Sequence, residues 1–300
     1  MSNKNLKMAI KRRYDEYYTR YVDIEKEVIH YKDELKGKSI YCNCDSPSSE
    51  FVRYFTTNFQ PLGIKSITAT GYNEGGNGTY FFYDGQKTIN SSLTGEGSFD
   101  SQECLDILKN SDIIITNPPF SKLLKYFSIL DQEKKDFLIV GTILNFTNST
   151  SIPMLLRGEL KTGVNKREPK FFYVGDSFIP EKPRIIKTLE GKRAIAMGNT
   201  TWITNMKADI ENQPMTLTET YDPKKYRKYD NIPDIIIVDK VKEIPKDYYD
   251  KMAVPITFMN SYCPEQFEIM DVVGRNRAIV NGKGIFTRIV IRRKNTPKNP

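Results

Sequence analysis

An α/β fold in the first half, joined to a β-rich second half, is what this 300-residue sequence predicts. Three observations carry it. Apolar runs of strand length alternate with segments of helical period from residue 14 to about residue 140. One of them, Ile113-Ile114-Ile115 within "SDIIITNPPF", is continuously β-branched, as suits a strand covered on both faces. Beyond residue 150 prolines recur, long helical patterns disappear and short strands dominate. Strands separated by helices are joined by right-handed crossovers, so the first half should form a mostly parallel sheet with helices on both faces.

The elements follow in order. Residues 14–35 carry Tyr14, Tyr17, Tyr18, Tyr21, Ile24, Val28 and Tyr31 at mixed helical spacing, with Asp15 or Thr19 as candidate caps and a break near 19–22. Gly37 ends that stretch. "KSIYCNCD" is the first strand. In "SPSSEFVRYFTTNF", serines and Pro47 start a helix whose apolar side is Phe51, Val52, Phe55 and Phe59. "IKSITATGY" is the second strand, and "TYFFYDGQKTI" reads as a hairpin turning at Asp84-Gly85. A helix near 101–109, the strand 112–116, a helix near 121–131 and the strand "DFLIVGTI" complete the series. The second half offers "KFFYVG", "KRAIAMGNTTWITNM", "PDIIIVDKV" and "IFTRIVIRR", with a turn at Asn281-Gly282-Lys283-Gly284. The final "RRKNTPKNP" reads as a mobile basic tail.

Bulk properties narrow the function classes. Apolar residues make up 39% and charged residues 27%, the profile of a soluble globular protein. No apolar run approaches a membrane span, and the start shows no signal-peptide core, so a cytoplasmic protein is expected. Four cysteines and one histidine assemble no common zinc pattern, so buried thiols are expected and no metal. The net charge of +8 is uneven. Residues 1–150 hold 18 Lys+Arg and 19 Asp+Glu, and residues 151–300 hold 27 and 18. A near-neutral first half and a basic second half suggest a chemical core joined to a part that binds a polyanion. A lysine-rich surface kept for solubility would give the same balance.

Asn117-Pro118-Pro119-Phe120 carries the chemistry. The two prolines fix two φ angles, and Pro118 pushes Asn117 out of the helical region, giving a stiff loop at the carboxyl end of a core strand. In open parallel sheets ligands bind there. The exocyclic amine of a nucleobase is a poor nucleophile because its lone pair is delocalised into the ring. Two acceptors, the Asn117 side-chain carbonyl and the Pro118 backbone carbonyl, could hold its two hydrogens and restore that lone pair. Phe120 offers a flat face on which a flipped base can stack. A surface turn after a strand would also explain the string.

The tetrapeptide resembles motif IV of class I S-adenosylmethionine-dependent amino methyltransferases. The wider chain is similar to the EcoRI-type adenine-specific DNA methyltransferases through "DEYYTRYVDIEKEVIHY", "IYCNCDSPSSEFVRYFTTNF", "GEGSFDSQE", "DIIITNPPFS", "WITN" and "VPITFMNSYCPEQFEI". These stretches span roughly residues 14–290. The resemblance implies a Rossmann-like catalytic domain over residues 1–205, a basic target-recognition region over 206–300, and transfer of a methyl group from S-adenosylmethionine to the N6 amine of a flipped adenine in duplex DNA. It implies a restriction-modification setting, and leaves the oligomeric state open.

It also implies roles. Tyr18 and Thr19 match the motif beside the cofactor's methionine end, and Asp45 and Pro47 stand in the loop after the first strand. There "DSPSSEF" replaces the familiar glycine-rich loop. A capped helix start would explain that loop equally well. Thr70 and Tyr72, with Asn73 and Glu74, lie where the ribose contact is usually found. In the motif near the cofactor's adenine the family's Asp-Phe appears as Ser98-Phe99, with Asp100 one position late, so that Asp100 or backbone atoms would make the contact; Asp100 could also cap the next helix. Asn117 borders both cofactor and base. Trp202 resembles a residue lining the target-base pocket, or is core.

For DNA, tyrosines interleave with Lys224, Lys225, Arg227 and Lys228 in "YDPKKYRKYD". Arg275, Arg277, Arg288, Arg292 and Arg293 are further candidates. A solvated lysine face is the plain alternative. Competing functions are an RNA or protein-amide methyltransferase, or a DNA-binding protein that kept the fold and lost catalysis.

Overall fold

The computed structural model describes residues 17–175, 178, 186–210 and 213–294. The predicted start of the first helix at 14–16 and the tail at 295–300 lie outside the described residues. The chain divides into two compact units. One comprises residues 1–142 and 162–209, the other residues 143–161 and 210–300. The sequence had suggested a single division at 205/206.

In the first unit a short strand, β1 (Tyr18–Thr19), precedes helix α1 (Tyr21–Val28), and α2 (Lys32–Leu35) follows. Thr19 is therefore a strand residue, and the helix cap is Arg20, whose side chain does not cap. Next come β2 (Ser39–Cys42), α3 (Glu50–Thr57), α4 (Phe59–Leu62), β3 (Ser66–Gly71), β4 (Thr79–Tyr83) and β5 (Thr88–Ser92). Then follow α5 (Gln102–Lys109), β6 (Ile113–Thr116), α6 (Leu123–Gln132) and β7 (Asp136–Thr142). Helix α7 (Ile152–Leu156) belongs to the second unit. The strands that follow are β8 (Lys161–Thr162), β9 (Phe171–Tyr173), β10 (Ile186–Leu189), β11 (Lys192–Ala196) and β12 (Thr200–Thr204).

The large sheet has the order β5-β4-β3-β2-β6-β7-β12-β8. Its centre, β3-β2-β6-β7, is parallel. The β4–β5 hairpin and β12 add antiparallel strands on either side, so the sheet is mixed rather than mostly parallel. The hairpin turns where predicted. Asp84 accepts the amides of Gln86 and Lys87, and Gly85 takes φ +92°.

Period-2 alternation divides the central strands between two cores. Ile40, Cys42, Ile67, Ala69, Ile113, Ile115, Leu138, Val140 and Trp202 pack with Ile24 and Val28 of α1 and Phe51, Val52 and Phe55 of α3. The alternate residues meet α5 and α6, as where Phe127 packs edge-on to Phe137 and Cys104 reaches Thr70. Ser49 caps α3 by accepting the Val52 amide. Glu27, buried on α1, accepts Tyr31 Oη, the Val164 and Asn165 amides and Asn165 Nδ2 at 2.7–2.9 Å. Gly163 is obligatory beside it, because a Cβ there would lie 2.1 Å from Glu27 Oε1. A second, four-stranded antiparallel sheet has the order β1-β9-β11-β10.

In the second unit, β13 (Ile236–Ile237), β14 (Met252–Pro255), β15 (Phe267–Val273) and β18 (Arg288–Arg293) form a sheet of order β13-β14-β18-β15. A bulge interrupts β15 between Ile269 and Asp271. Only two residues of "PDIIIVDKV" are strand. The predicted Asn281-Gly282 turn joins β16 (Ile279–Val280) to β17 (Lys283–Gly284), both turn residues at positive φ, as a two-residue hairpin requires.

Candidate active site

Strand β2 is the switch point of the parallel sheet. The chain leaves it through α3 to β3 on one side, while β6 pairs on its other side. Loops leaving the carboxyl ends of such a pair diverge and open a crevice. The loop after β2 holds Asn43 to Ser49, and the loop after β6 holds Asn117 to Phe120.

Side chains tie the two loops together. Thr116, the last residue of β6, donates its hydroxyl to Asp45 Oδ2 at 2.5 Å. Ser49 and the backbone N–H of Asn117 also donate to that carboxylate. Asp45 is only 8% exposed. Burial pushes its carboxyl up to about 7, and the three hydrogen bonds offset only part of that rise. The Asp45 amide in turn donates to the Thr70 carbonyl.

Asn117 Nδ2 donates to the Tyr17 carbonyl at 2.5 Å, just before β1. Its other side-chain atom, Oδ1, is buried without a hydrogen-bond partner, as are Thr19 Oγ1 and Asn43 Nδ2. Asn43 Oδ1 accepts the Tyr126 hydroxyl. Each buried polar atom left unpaired costs about 1–3 kcal/mol. Three of them, on the segments that bear Asp45 and Asn117 and on the strand that follows the anchoring Tyr17, suit a polar ligand that would satisfy them. Pro118 is buried, while Pro119 and Phe120 are half-buried. The Phe120 ring stacks on Tyr17, centroids 5.7 Å apart, and meets Phe172 edge-on.

The other predicted cofactor residues divide. Pro47 is half-buried in the loop after β2. Tyr18 is 49% exposed and pairs with Tyr173 in the small sheet. Thr70 turns its hydroxyl inward to Tyr41 Oη at 2.7 Å, so only its backbone borders the loop. Tyr72 is half exposed, its hydroxyl on Glu96, and Lys122 Nζ lies 5.8 Å from its ring and 5.6 Å from that of Phe99. Asp100 does not cap α5. Ser101 does, accepting the Cys104 amide, while Asp100 accepts Lys125 Nζ and the Ser98 hydroxyl. Burial would raise the Asp100 carboxyl, but those two bonds outweigh it and hold it below the usual carboxylate value.

The family model of the adenine-specific methyltransferase EcoRI matches residues 5–299. The chain belongs to that family. It is 36% identical to Type II methyltransferase M.EcoRI of Escherichia coli, over 99% of this chain and 98% of that protein. It is 32% identical to Type II methyltransferase M.MpnI of Mycoplasma pneumoniae, over 95% and 97%. It is 31% identical to Type II methyltransferase M.MgeORF184P of Mycoplasma genitalium, over 95% and 98%. No solved structure matches the chain significantly. The protein is thus an adenine-specific methyltransferase, and a protein amide is set aside as its acceptor.

Trp202 belongs to the core of this methyltransferase. It is 0% exposed on β12, in register with Val140 and edge-on to Phe51, because its strand lies inside the large sheet. In the second unit Lys224, Lys225, Arg227 and Lys228 are all exposed, while Tyr226 and Tyr229 are buried. The tyrosines of that segment therefore pack inward. Lys225 pairs with Glu219 at 2.7 Å and Arg227 with Asp239 at 3.0 Å. Arg277 pairs with Asp271, Arg292 with Glu268, and buried Arg288 with Asp239 and the Val238 carbonyl. Arg275 is exposed, and Arg293 lies over the Tyr249 ring.

Tyr17, Asn43 and Thr116 are site residues that sequence reasoning did not single out. Thr116 directly precedes the motif, which was a usable signal. Tyr17 had none beyond its nearness to Thr19. Among the described residues no helix is long and apolar enough to cross a membrane, and no group of three or more His, Cys, Asp or Glu could hold a metal.

Proposed function

We propose that this methyltransferase transfers a methyl group from S-adenosylmethionine to the N6 amine of an adenine flipped out of duplex DNA. The observation that carries the reading is the asymmetry of Asn117. Its amide nitrogen is anchored to Tyr17, and its carbonyl oxygen is buried and unpartnered. An amide held in that way presents an acceptor whose direction is fixed before the base arrives, so no reorganisation is needed when charge develops on the amine. Asn117 Oδ1 and the Pro118 carbonyl take one amine hydrogen each. Phe120 supports the face of the base, and its contacts with Tyr17 and Phe172 hold it in place.

S-adenosylmethionine supplies an electrophilic methyl group on a sulfonium centre. Asp45 is the acceptor for its ammonium, Thr19 and Asn43 provide polar partners at the same end, and Tyr72, Phe99 and Asp100 border its adenosine. The strand order β3-β2-β6-β7 with antiparallel β12 supports a class I, Rossmann-like methyltransferase fold for roughly residues 1–205. The basic, β-rich residues 206–300 then serve target recognition. Acting on DNA, the enzyme works in the cytoplasm.

The test is transfer of tritiated methyl groups to duplex DNA, with RNA in parallel, by the whole chain and by Asn117→Ala. Duplex-dependent incorporation that the variant loses supports the reading. Incorporation into RNA alone, or an active variant, overturns it. Methylation-sensitive sequencing of DNA from expressing cells would give the target sequence.

A further inference from the structure

The small antiparallel sheet β1-β9-β11-β10 has two unlike faces. Phe172 and Ile195 point into the core of the first unit. Alternation along β9 therefore sends Phe171 and Tyr173 to the opposite face. That face is crowded with cations. Arg20, Lys170 and Lys187 stand 5.8, 5.9 and 5.6 Å from the centroid of the single Phe171 ring. Lys192 stands 4.9 Å from the Tyr173 ring. Cross-strand register sets Lys187, Ala194 and Tyr173 in one row, so the arrangement comes from the sheet itself.

Three cations around one ring repel one another, and the ring quadrupole offsets only part of that repulsion. Acidic neighbours neutralise Arg20, through Asp23 at 2.8 Å and Glu190 at 3.9 Å, and Lys192, through Glu50 at 2.9 Å; Glu190 also accepts the Tyr173 hydroxyl on this face. Lys170 and Lys187 are exposed and make no salt bridge among the described residues. These two are the cations of the face left to pair with phosphates. The surface is also close to the motif loop in the chain's own connectivity. Phe172, next to Phe171 but on the other face of β9, meets Phe120 edge-on, and the β1 strand begins directly after Tyr17, whose carbonyl anchors Asn117.

We propose that this face of the first unit contacts the phosphate backbone of duplex DNA, with Lys170 and Lys187 as the phosphate ligands and Phe171 as the platform that positions them. The inference rests on the DNA reading above. It adds a DNA surface on the first unit, because the positive balance of residues 151–300 extends into segments that fold with that unit.

The experiment measures duplex binding by fluorescence anisotropy across a salt series. A 30-base-pair duplex of arbitrary sequence is the probe, since phosphate contacts do not depend on sequence. Lys170→Gln with Lys187→Gln is compared with Lys65→Gln plus Lys87→Gln, an exposed pair elsewhere in the first unit. The slope of log affinity against log salt should fall by about 1.8 for the first pair, and stay unchanged for the second. Calorimetric S-adenosylmethionine binding should be the same for both, which shows that both fold. Equal slopes in the two double variants overturn the surface, as does a loss seen with single-stranded but not duplex DNA. If the wild type methylates duplex DNA while the slopes are equal, only this surface falls. If the wild type neither methylates nor binds duplex DNA, the DNA reading fails and takes the surface with it.

Discussion

Asn117 hands its side-chain amide to the backbone carbonyl of Tyr17, 100 residues earlier in the chain, across 2.5 Å. A carbonyl can only accept, so this contact fixes which end of the Asn117 amide is presented to a ligand. The strand-end loop and the amino-terminal segment thus act as one part.

The first prediction follows from that contact. Asn117→Ala removes the acceptor, and methyl transfer should fall by a factor on the order of 10³, while cofactor affinity stays within roughly tenfold. Tyr17→Phe keeps both the carbonyl and the ring and should stay near wild-type turnover. Tyr17→Ala loses the ring that stacks on Phe120 and should lose turnover more than cofactor affinity. Single-turnover rates with saturating cofactor read this. A fully active Asn117→Ala would remove the acceptor role.

Asp45 sets a pH dependence. Burial pushes its carboxyl up to about 7 in the folded chain, against the ordinary 3.8 of an aspartate carboxyl. Between those values the folded state holds a proton that the unfolded state has released. Stability therefore falls as pH rises from about 4 to about 7, and this group adds no slope outside that window. A bound ammonium favours the carboxylate, so cofactor affinity should rise with pH up to about 7 and then level off. Calorimetry at pH 6 in two buffers of different ionisation enthalpy should show proton release on binding. Asp45→Asn should show none and bind more weakly. Identical heats in both buffers for the wild type would mean that Asp45 does not meet the cofactor.

Trp202 gives a stability prediction. Trp202→Ala should cost about 3–5 kcal/mol, as truncation of a large buried aromatic does. Trp202→Phe should cost much less, because it keeps most of the packing and removes an indole N–H that is buried without a partner. Duplex affinity of Trp202→Phe should match wild type. Unchanged stability combined with lost DNA affinity would return this residue to the base pocket.

What could be read in advance was what local chemistry decides. The Ile113–Ile115 strand, the Asp84-Gly85 turn and the Asn281-Gly282 turn each depend on a few neighbouring residues, and each formed where expected. The cap of α5 moved by one residue because Asp100 found a stronger partner in Lys125, on a different helix. Of "PDIIIVDKV" only Ile236 and Ile237 are strand, paired with Met252 and Ala253, since an apolar run does not say how much of its length will find a partner. Glu27 was invisible for a related reason. A glutamate on a helix reads as solvated, and its burial depends on donors at Val164 and Asn165, some 137 residues away. The candidate site was legible at Asp45 and Asn117, whose residue types carry chemistry. It was not legible at Tyr17, which contributes to Asn117 through a backbone carbonyl that every residue has.

The last prediction concerns the basic segment of the second unit. Lys224, Lys225, Arg227 and Lys228 are exposed, but Lys225 and Arg227 already have the carboxylates of Glu219 and Asp239. Exposed pairs of this kind are weak, so phosphates can compete for the cations, at the cost of leaving a carboxylate beside the DNA. Neutralising all four should flatten the salt dependence of duplex binding by up to about 3.6 in slope, if each makes one phosphate contact. Glu219→Gln removes a competitor for Lys225 and should strengthen duplex binding at low salt. Asp239 is less suitable for this test, because buried Arg288 also depends on it. Cofactor binding should not change in either variant, since the cofactor residues proposed above lie in the other unit. Neutralising Lys65, Lys87, Lys109 and Lys134 gives a control of equal charge. Equal loss of DNA affinity in the two quadruple variants would mean that the segment acts only through net charge, and that the excess lysines of the second half serve solubility.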